Sequence, residues 1–263
     1  MPRTVVVSDI HLGAIPAAAE RAFVGFLERV PELGDDLLIN GDLFDFWFEY
    51  REVVPRGHFA TLTALRALVD HGVAIRFLGG NHDAWGGSFL ADEVGLDLVE
   101  GPAVLDVGGR RAYVAHGDGL GGGDWGYRLL KRASRSRVGR ALFRAVHPDL
   151  GVPVARRASA TGDKRAAGPG PETSRADRLA EHARRLLENR EDLDLVIFGH
   201  THRPELEEVG PGRFYLNAGD WIHHRSHAVV SPREIRLERE EAPGGADRGG
   251  RPGVAGREPG EVF

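Results

Sequence analysis

Five times along this chain an apolar run stops abruptly at Asp, Asn or His. The runs are VVVSDIH (Val5–His11), LLINGD (Leu37–Asp42), IRFLGGNHD (Ile75–Asp83), YVAHGD (Tyr113–Asp118) and LVIFGHTH (Leu195–His202). Each is short, largely β-branched or aromatic, and bounded by glycine or polar residues, which is the pattern of a buried strand. Open α/β sheets hold their ligands just beyond the carboxyl ends of such strands. A single Gly-Asp is an ordinary turn, and a single His is more often a satisfied polar residue than a ligand. Five repeats of one design are a different matter. They predict an α/β fold in which five strand ends converge on one edge of a sheet, with Asp42 at the centre of a metal site.

Composition narrows the chemistry. With 263 residues the chain can build one large α/β core plus an insertion. It has no cysteine, which excludes disulfides, thiolate metal sites and cysteine nucleophiles. A net charge of -5 argues against a nucleic-acid partner. A strand begins within a few residues of Met1, leaving no room for a signal peptide, and no apolar run approaches the roughly 20 residues that cross a bilayer. A cytoplasmic location is expected, without an obligate protein partner.

Taken in order, Arg3–Ser8 is the first expected strand. It delivers Asp9 and His11, which on an extended exit point to the same side. Pro16 opens a helix through Val30, with Phe23, Phe26, Leu27 and Val30 at helical spacing. The aromatic segment Phe44–Tyr50 either lines an apolar pocket or packs its loop onto the sheet. A helix is expected over His58–His71, then a strand over Val73–Leu78. Ala103–Val107 and Arg110–Ala115 form a hairpin closed by Gly108 and Gly109. Between Trp125 and Pro148 lie seven Arg or Lys and no acid, with Val138, Leu142 and Val146 forming an apolar stripe. A basic amphipathic helix of this kind fits a membrane surface or an anionic amphiphile. Residues 124–165 are therefore expected to be a helical cap, and 1–123 with 166–240 a discontinuous core. Thr173 or Ser174 caps a helix ending at Asn189. Phe214–Asn217, Ala228–Ser231 and Glu234–Leu237 are expected in one closing antiparallel sheet, and 241–263 as a disordered tail.

Asp, Asn and His without thiolate make a mixed oxygen and nitrogen site, suited to manganese, iron or zinc. The ligands suffice for two ions sharing one carboxylate. Two cations about 3.5–4 Å apart polarise a water and neutralise a phosphoryl group attacked in line. Hydrolysis of a phosphate ester or anhydride is the natural chemistry.

The ordered set Asp9-x-His11, Gly41-Asp42-x-x-Asp45, Gly80-Asn81-His82-Asp83, His116 and Gly199-His200-x-His202 resembles the calcineurin-like metallophosphoesterase superfamily over about Thr4 to Leu237. The resemblance implies a four-layer αββα sandwich. It also implies one divalent ion, most simply Mn²⁺, on Asp9, His11, Asp42 and His202, and another on Asp42, Asn81, His116 and His200. Asp42 would bridge the two and His82 would stand beside the reacting phosphoryl group, with Asn81 and His200 also near the substrate. Within the superfamily, GDLFDFW, HGDGLGGGDWGY, the basic insertion and GHTHRP resemble the UDP-2,3-diacylglucosamine pyrophosphatase family. That likeness implies a nucleotide-activated glycolipid substrate, cleaved to UMP and lipid X at the inner leaflet of the cytoplasmic membrane. It further implies substrate contacts from Asp124, Tyr127, Ser159 and Lys164. The chain departs from that pattern at His82, where much of the family has Arg. Two rival readings are a phosphodiesterase acting on a cyclic or other nucleotide diester and a non-enzymatic scaffold of the same fold.

Overall fold

Val5, Val6 and Val7 are all fully buried, which requires protein on both faces of the strand they form. A computed structural model, describing residues 1–83, 87–120, 137–155 and 171–240, supplies those faces. Strands β1 (Thr4–Val7), β2 (Asp36–Asn40), β3 (Ala74–Leu78) and β4 (Asp97–Val99) run parallel. Strands β10 (Ser226–Val230) and β11 (Ile235–Arg239) extend them antiparallel, in the order β11-β10-β1-β2-β3-β4. A second sheet holds β5 (Ala103–Val107), β6 (Arg110–Val114), β7 (Leu195–Phe198), β8 (Glu205–Gly210) and β9 (Arg213–Asn217), in the order β5-β6-β7-β9-β8.

Alternation along each strand divides the side chains between layers. Val5, Val7, Leu37, Ile39, Ile75 and Phe77 point to one face of the first sheet, where they meet helices α1 (Ala17–Leu33) and α2 (Phe59–Asp70). Val6, Leu38 and Leu78 point the other way and pack on Val114, Leu195, Ile197 and Leu216 of the second sheet. Val196 and Phe198 face outwards again, under Leu179, Ala180, Ala183 and Leu187. Those four belong to the long helix Pro171–Asn189, α4 here, with α3 being Arg137–Arg144. The architecture is the expected αββα sandwich. Among the described residues no helix is long and apolar enough to cross a membrane.

Helix α1 buries Ala19, Phe23, Phe26, Leu27 and Val30, the face its spacing predicts. It runs one turn past Val30, because Pro31 lies near its end and Gly34 N–H closes on the Val30 carbonyl at 2.9 Å. The β5–β6 hairpin turns through Gly108 (φ 58°) and Gly109 (φ 76°), the pair of left-handed residues that a two-residue turn needs.

Three expectations change. The five ligand-bearing strands do not share one sheet, for β1, β2 and β3 lie in the first and β6 and β7 in the second. The closing strands also divide: β9 joins the second sheet parallel to β7, while β10 and β11 join the first. Periodicity reports that a strand is buried but not which neighbour buries it. Thr173 and Ser174 do not cap α4, which already begins at Pro171. Strands β4 and β8 went unforeseen, the former only three residues long and the latter, ELEEVG, carrying three glutamates on a sheet edge. Much of the expected cap and the 241–263 tail lie outside the described residues.

Candidate metal centre

Among the described residues, six that are not glycine have positive φ, and five of them are Asp9 (53°), His11 (52°), Asp42 (52°), His200 (66°) and His202 (59°). Left-handed backbone is costly for such side chains and persists only where surrounding structure imposes it. Here a zipper of backbone hydrogen bonds does so. Asp9 N–H donates to the Gly41 carbonyl at 3.1 Å and His11 N–H to the Asp42 carbonyl at 2.9 Å. Leu12 N–H donates to the Leu43 carbonyl at 2.9 Å, and Asp45 N–H returns to that of Leu12 at 3.0 Å. The exits from β1 and β2 are thus curled rather than extended, which corrects the reason given for pairing Asp9 with His11. Gly80 completes the approach, since a Cβ there would collide with the backbone nitrogen and carboxylate of Asp42.

Two clusters result. In the first, Asp9, His11 and His202 converge: His11 Nε2 stands 3.3 Å from His202 Nε2, and Asp9 Oδ1 stands 3.4 Å from His202 Nε2 and 3.9 Å from His11 Nε2. Ligands about 2.1 Å from one ion lie roughly 3.0–3.5 Å apart, so this spacing fits a shared cation. In the second cluster Asp42, His116 and His200 converge, with His116 Nε2 3.1 Å from Asp42 Oδ2. Asp42 Oδ2 is also 3.8 Å from His11 Nε2, which places that carboxylate between the two groups. The Asn81 side-chain oxygen, on the same β3 exit as His82, is buried with no hydrogen-bond partner, an expensive arrangement for a neutral acceptor unless a cation completes it. His200 and His202, two apart in sequence, go to different clusters.

Electrostatics point the same way. Burial raises the Asp9 carboxyl above its usual range, and the nearby Asp42 adds to that. Burial would raise Asp42 as well, but His116, His82 and His11 outweigh it and hold Asp42 well below the carboxylate range. His116 is raised despite its burial, because Asp42 and Asp9 favour its charged form. Burial, reinforced by His116, lowers His200 to about 3, which leaves it neutral as a metal ligand must be.

His82 lies against both clusters, its Nε2 3.9 Å from Asp42 Oδ2 and its ring edge-on to His11 at 4.7 Å. Its Nδ1 donates to the Asp45 carbonyl at 2.8 Å, so Nε2 faces the site. Asp83 accepts from the amides of Leu43 and Phe44, both at 3.0 Å, and burial with the neighbouring Asp42 pushes it up to about 7.

The aromatic segment divides its labour. Phe44 and Trp47 enter the core, whereas Phe46 and Phe48 meet Phe143 of α3, at 5.9 and 4.5 Å between ring centroids. Arg144 Nε also donates to the Glu49 carbonyl at 3.3 Å. Helix α3 is therefore docked on the loop that follows Asp42. Val138, Leu142, Leu150 and Val154 remain at least 66% exposed. Asp124, Tyr127, Ser159 and Lys164 lie outside the described residues.

One residue at the site was missed. Asp220, fully buried after β9, places Oδ2 3.3 Å from His202 Nδ1. Burial would raise it, yet His202 and the amides of His224 and His223 bring it to about 2. Its segment, FYLNAGD, is a sixth apolar run ending in ligand-type residues, and that was the available signal.

The calcineurin-like phosphoesterase family model matches residues 2–204. A UDP-2,3-diacylglucosamine hydrolase of Porphyromonas gingivalis is 32% identical over 254 residues, covering 88% of this chain and 95% of that protein. One from Aeromonas salmonicida is 33% identical, covering 91% and 94%, and one from Salmonella typhi is 31% identical, covering 89% and 97%. Because the family match runs from before β1 to just past His202, it takes in every strand end that delivers a residue to the two clusters, and the chain belongs to the calcineurin-like phosphoesterase family.

Proposed function

We propose that this protein is a metal-dependent hydrolase that cleaves the pyrophosphate of UDP-2,3-diacylglucosamine, giving UMP and 2,3-diacylglucosamine 1-phosphate (lipid X). The observation that carries this reading is the length of the likeness. Relatives named for that substrate align with 88–91% of the chain, beyond the family core. Asp9, His11, Asp42 and His202 hold one divalent ion, and Asp42, Asn81, His116 and His200 the other. Manganese suits this oxygen and nitrogen set, with iron or zinc as alternatives. When bound, the ions supply the charge that polarises the phosphoryl oxygens and eases deprotonation of the attacking water.

The chain's own groups do the rest. Asp42 fixes the spacing of the two clusters, and its Oδ1 accepts the His82 amide at 2.9 Å, tying the β2 exit to the β3 exit. His82 presents Nε2 to a phosphoryl oxygen. Asp124, Tyr127, Ser159 and Lys164 contact the sugar phosphate. The described part of the insertion, 137–155, exposes Val138, Leu142, Leu150 and Val154, and these with the arginines of the segment receive acyl chains and draw the protein to the inner leaflet of the cytoplasmic membrane. Incubation with UDP-2,3-diacylglucosamine and manganese is expected to release UMP and lipid X in equal amounts. Inertness towards that substrate, with turnover of a cyclic nucleotide instead, would move the protein to the phosphodiesterase reading.

The role of His82 can be separated by leaving group. An anhydride expels a phosphate monoester whose second pKa is near 6, so acid assistance matters little there. His82→Ala is expected to slow an alkyl phosphodiester by about 10²–10⁴-fold, the usual range for a lost general acid, and the lipid substrate distinctly less. Equal losses on both substrates would assign His82 to stabilising phosphoryl charge.

A further inference from the structure

We infer that Asp220 is a positioning residue that acts through His202 and makes the Asp9–His11–His202 side the tighter of the two metal sites. This rests on the metal-centre reading above. Asp220 is fully buried, and its two oxygens are used differently. Oδ1 accepts three hydrogen bonds, from the His223 amide at 3.0 Å, the His224 amide at 2.9 Å and His224 Nδ1 at 3.0 Å. Those donors lock the carboxylate so that Oδ2 points at His202 Nδ1, 3.3 Å away. The segment itself cannot drift. Trp221 packs against both Phe23 and Phe26, at 4.8 and 5.1 Å between ring centroids, and its amide donates to the Asp9 carbonyl at 3.2 Å.

Oδ2 is buried without a hydrogen bond of its own and stands 3.3 Å from His202 Nδ1, so a proton on Nδ1 is what satisfies it, and that tautomer offers the Nε2 lone pair towards Asp9 and His11. In the other cluster His116 Nδ1 donates instead to a neutral backbone carbonyl, that of Asn40, at 2.9 Å, and Asp118 acts on His116 and His200 through its field. A carboxylate behind the histidine strengthens it as a donor, and the same side already has Asp9 besides the shared Asp42 where the other has the neutral Asn81.

Asp220→Asn keeps the shape but can turn its amide NH₂ towards Nδ1. The neutral imidazole then holds its proton on Nε2, the nitrogen that must bind the ion. The experiment titrates metal-free full-length protein with Mn²⁺, following free ion by electron paramagnetic resonance. Wild type is expected to take two ions in two resolved steps. In Asp220→Asn the tighter step should weaken by about 10–100-fold, with the weaker step unchanged, the range typical of a lost outer partner to a metal-binding histidine. His224→Ala cuts a tie to the same loop without touching the Oδ2–Nδ1 pair, and should change either step by less than about threefold. Thermal unfolding of the metal-free variants checks that each is folded. Unchanged steps in Asp220→Asn, or equal weakening of both steps in both variants, overturn the inference by making Asp220 inert or merely a loop anchor. Wild type that binds no Mn²⁺ overturns the metal-centre reading itself, and this inference with it.

Discussion

Asp42→Ala is expected to remove both metal ions together and to lower turnover by at least about 10³-fold, the scale of losing several kcal/mol of charge stabilisation at a phosphoryl centre. Among the described residues Asp42 is the one carboxylate within 4 Å of ring nitrogens from both clusters, 3.1 Å from His116 and 3.8 Å from His11. Its loss removes the main group that favours the charged form of His116, so burial leaves that imidazole neutral, and what disappears is the negative charge shared by the two clusters. Alanine also tolerates φ 52° poorly, so Asp42→Asn provides the control, since Asn accepts left-handed backbone and removes only the charge. Elemental analysis should find both variants without bound metal. Two equivalents of metal in Asp42→Asn would show that the carboxylate does not bridge. Asp45→Ala should lose less, because the 2.8 Å hydrogen bond of His82 Nδ1 goes to the Asp45 backbone carbonyl, which alanine keeps, while its carboxylate stands farther off, 3.8 Å from His82 Nδ1 and 3.9 Å from His11 Nδ1.

The second large effect lies in the cap. Leu142 and Leu150 are each 68% exposed, whereas Phe143, between them in sequence, packs on Phe48. Their exposure makes Leu142→Asp with Leu150→Asp a change that should leave folding intact. It places two charges where acyl chains or lipid would sit. Each buried methylene contributes about 0.8 kcal/mol, so losing contact with even three weakens binding by roughly 50-fold. Turnover of the diacylated substrate should fall by at least that factor at low substrate concentration, and cosedimentation with anionic vesicles should be lost. Hydrolysis of a small aryl phosphodiester should stay within about twofold, because none of the proposed metal ligands lies in this segment. Equal losses on both substrates would make the segment structural. Phe143→Ala addresses the docking instead: it removes an aromatic contact to Phe46 and Phe48, whose loop begins just past Asp42, and should therefore depress both activities.

Sequence by itself determined the strands that end in ligands, because a strand buried on both faces must be continuously apolar and its polar stop is conspicuous. It determined the buried face of α1, through Phe23, Phe26, Leu27 and Val30, and the hairpin turn at Gly108 and Gly109, where the backbone demands a residue without Cβ. It also named the residues now found in the two clusters. Tertiary structure alone decided which sheet each strand joined, since β6 and β7 carry the same apolar signal as β1 and β2 yet pair among themselves. It alone set the left-handed backbone at Asp9, His11 and Asp42, which comes from hydrogen bonds between segments far apart in the chain, and at His200, whose amide donates to the Asp9 carboxylate. The division of the aromatic segment, with Phe44 and Trp47 inward and Phe46 and Phe48 against α3, depended on where α3 docks. Asp220 is the sharpest case. In sequence it is an acid in a Gly-Asp turn, and only the packing of Trp221 against Phe23 and Phe26 brings its second oxygen to the back of His202.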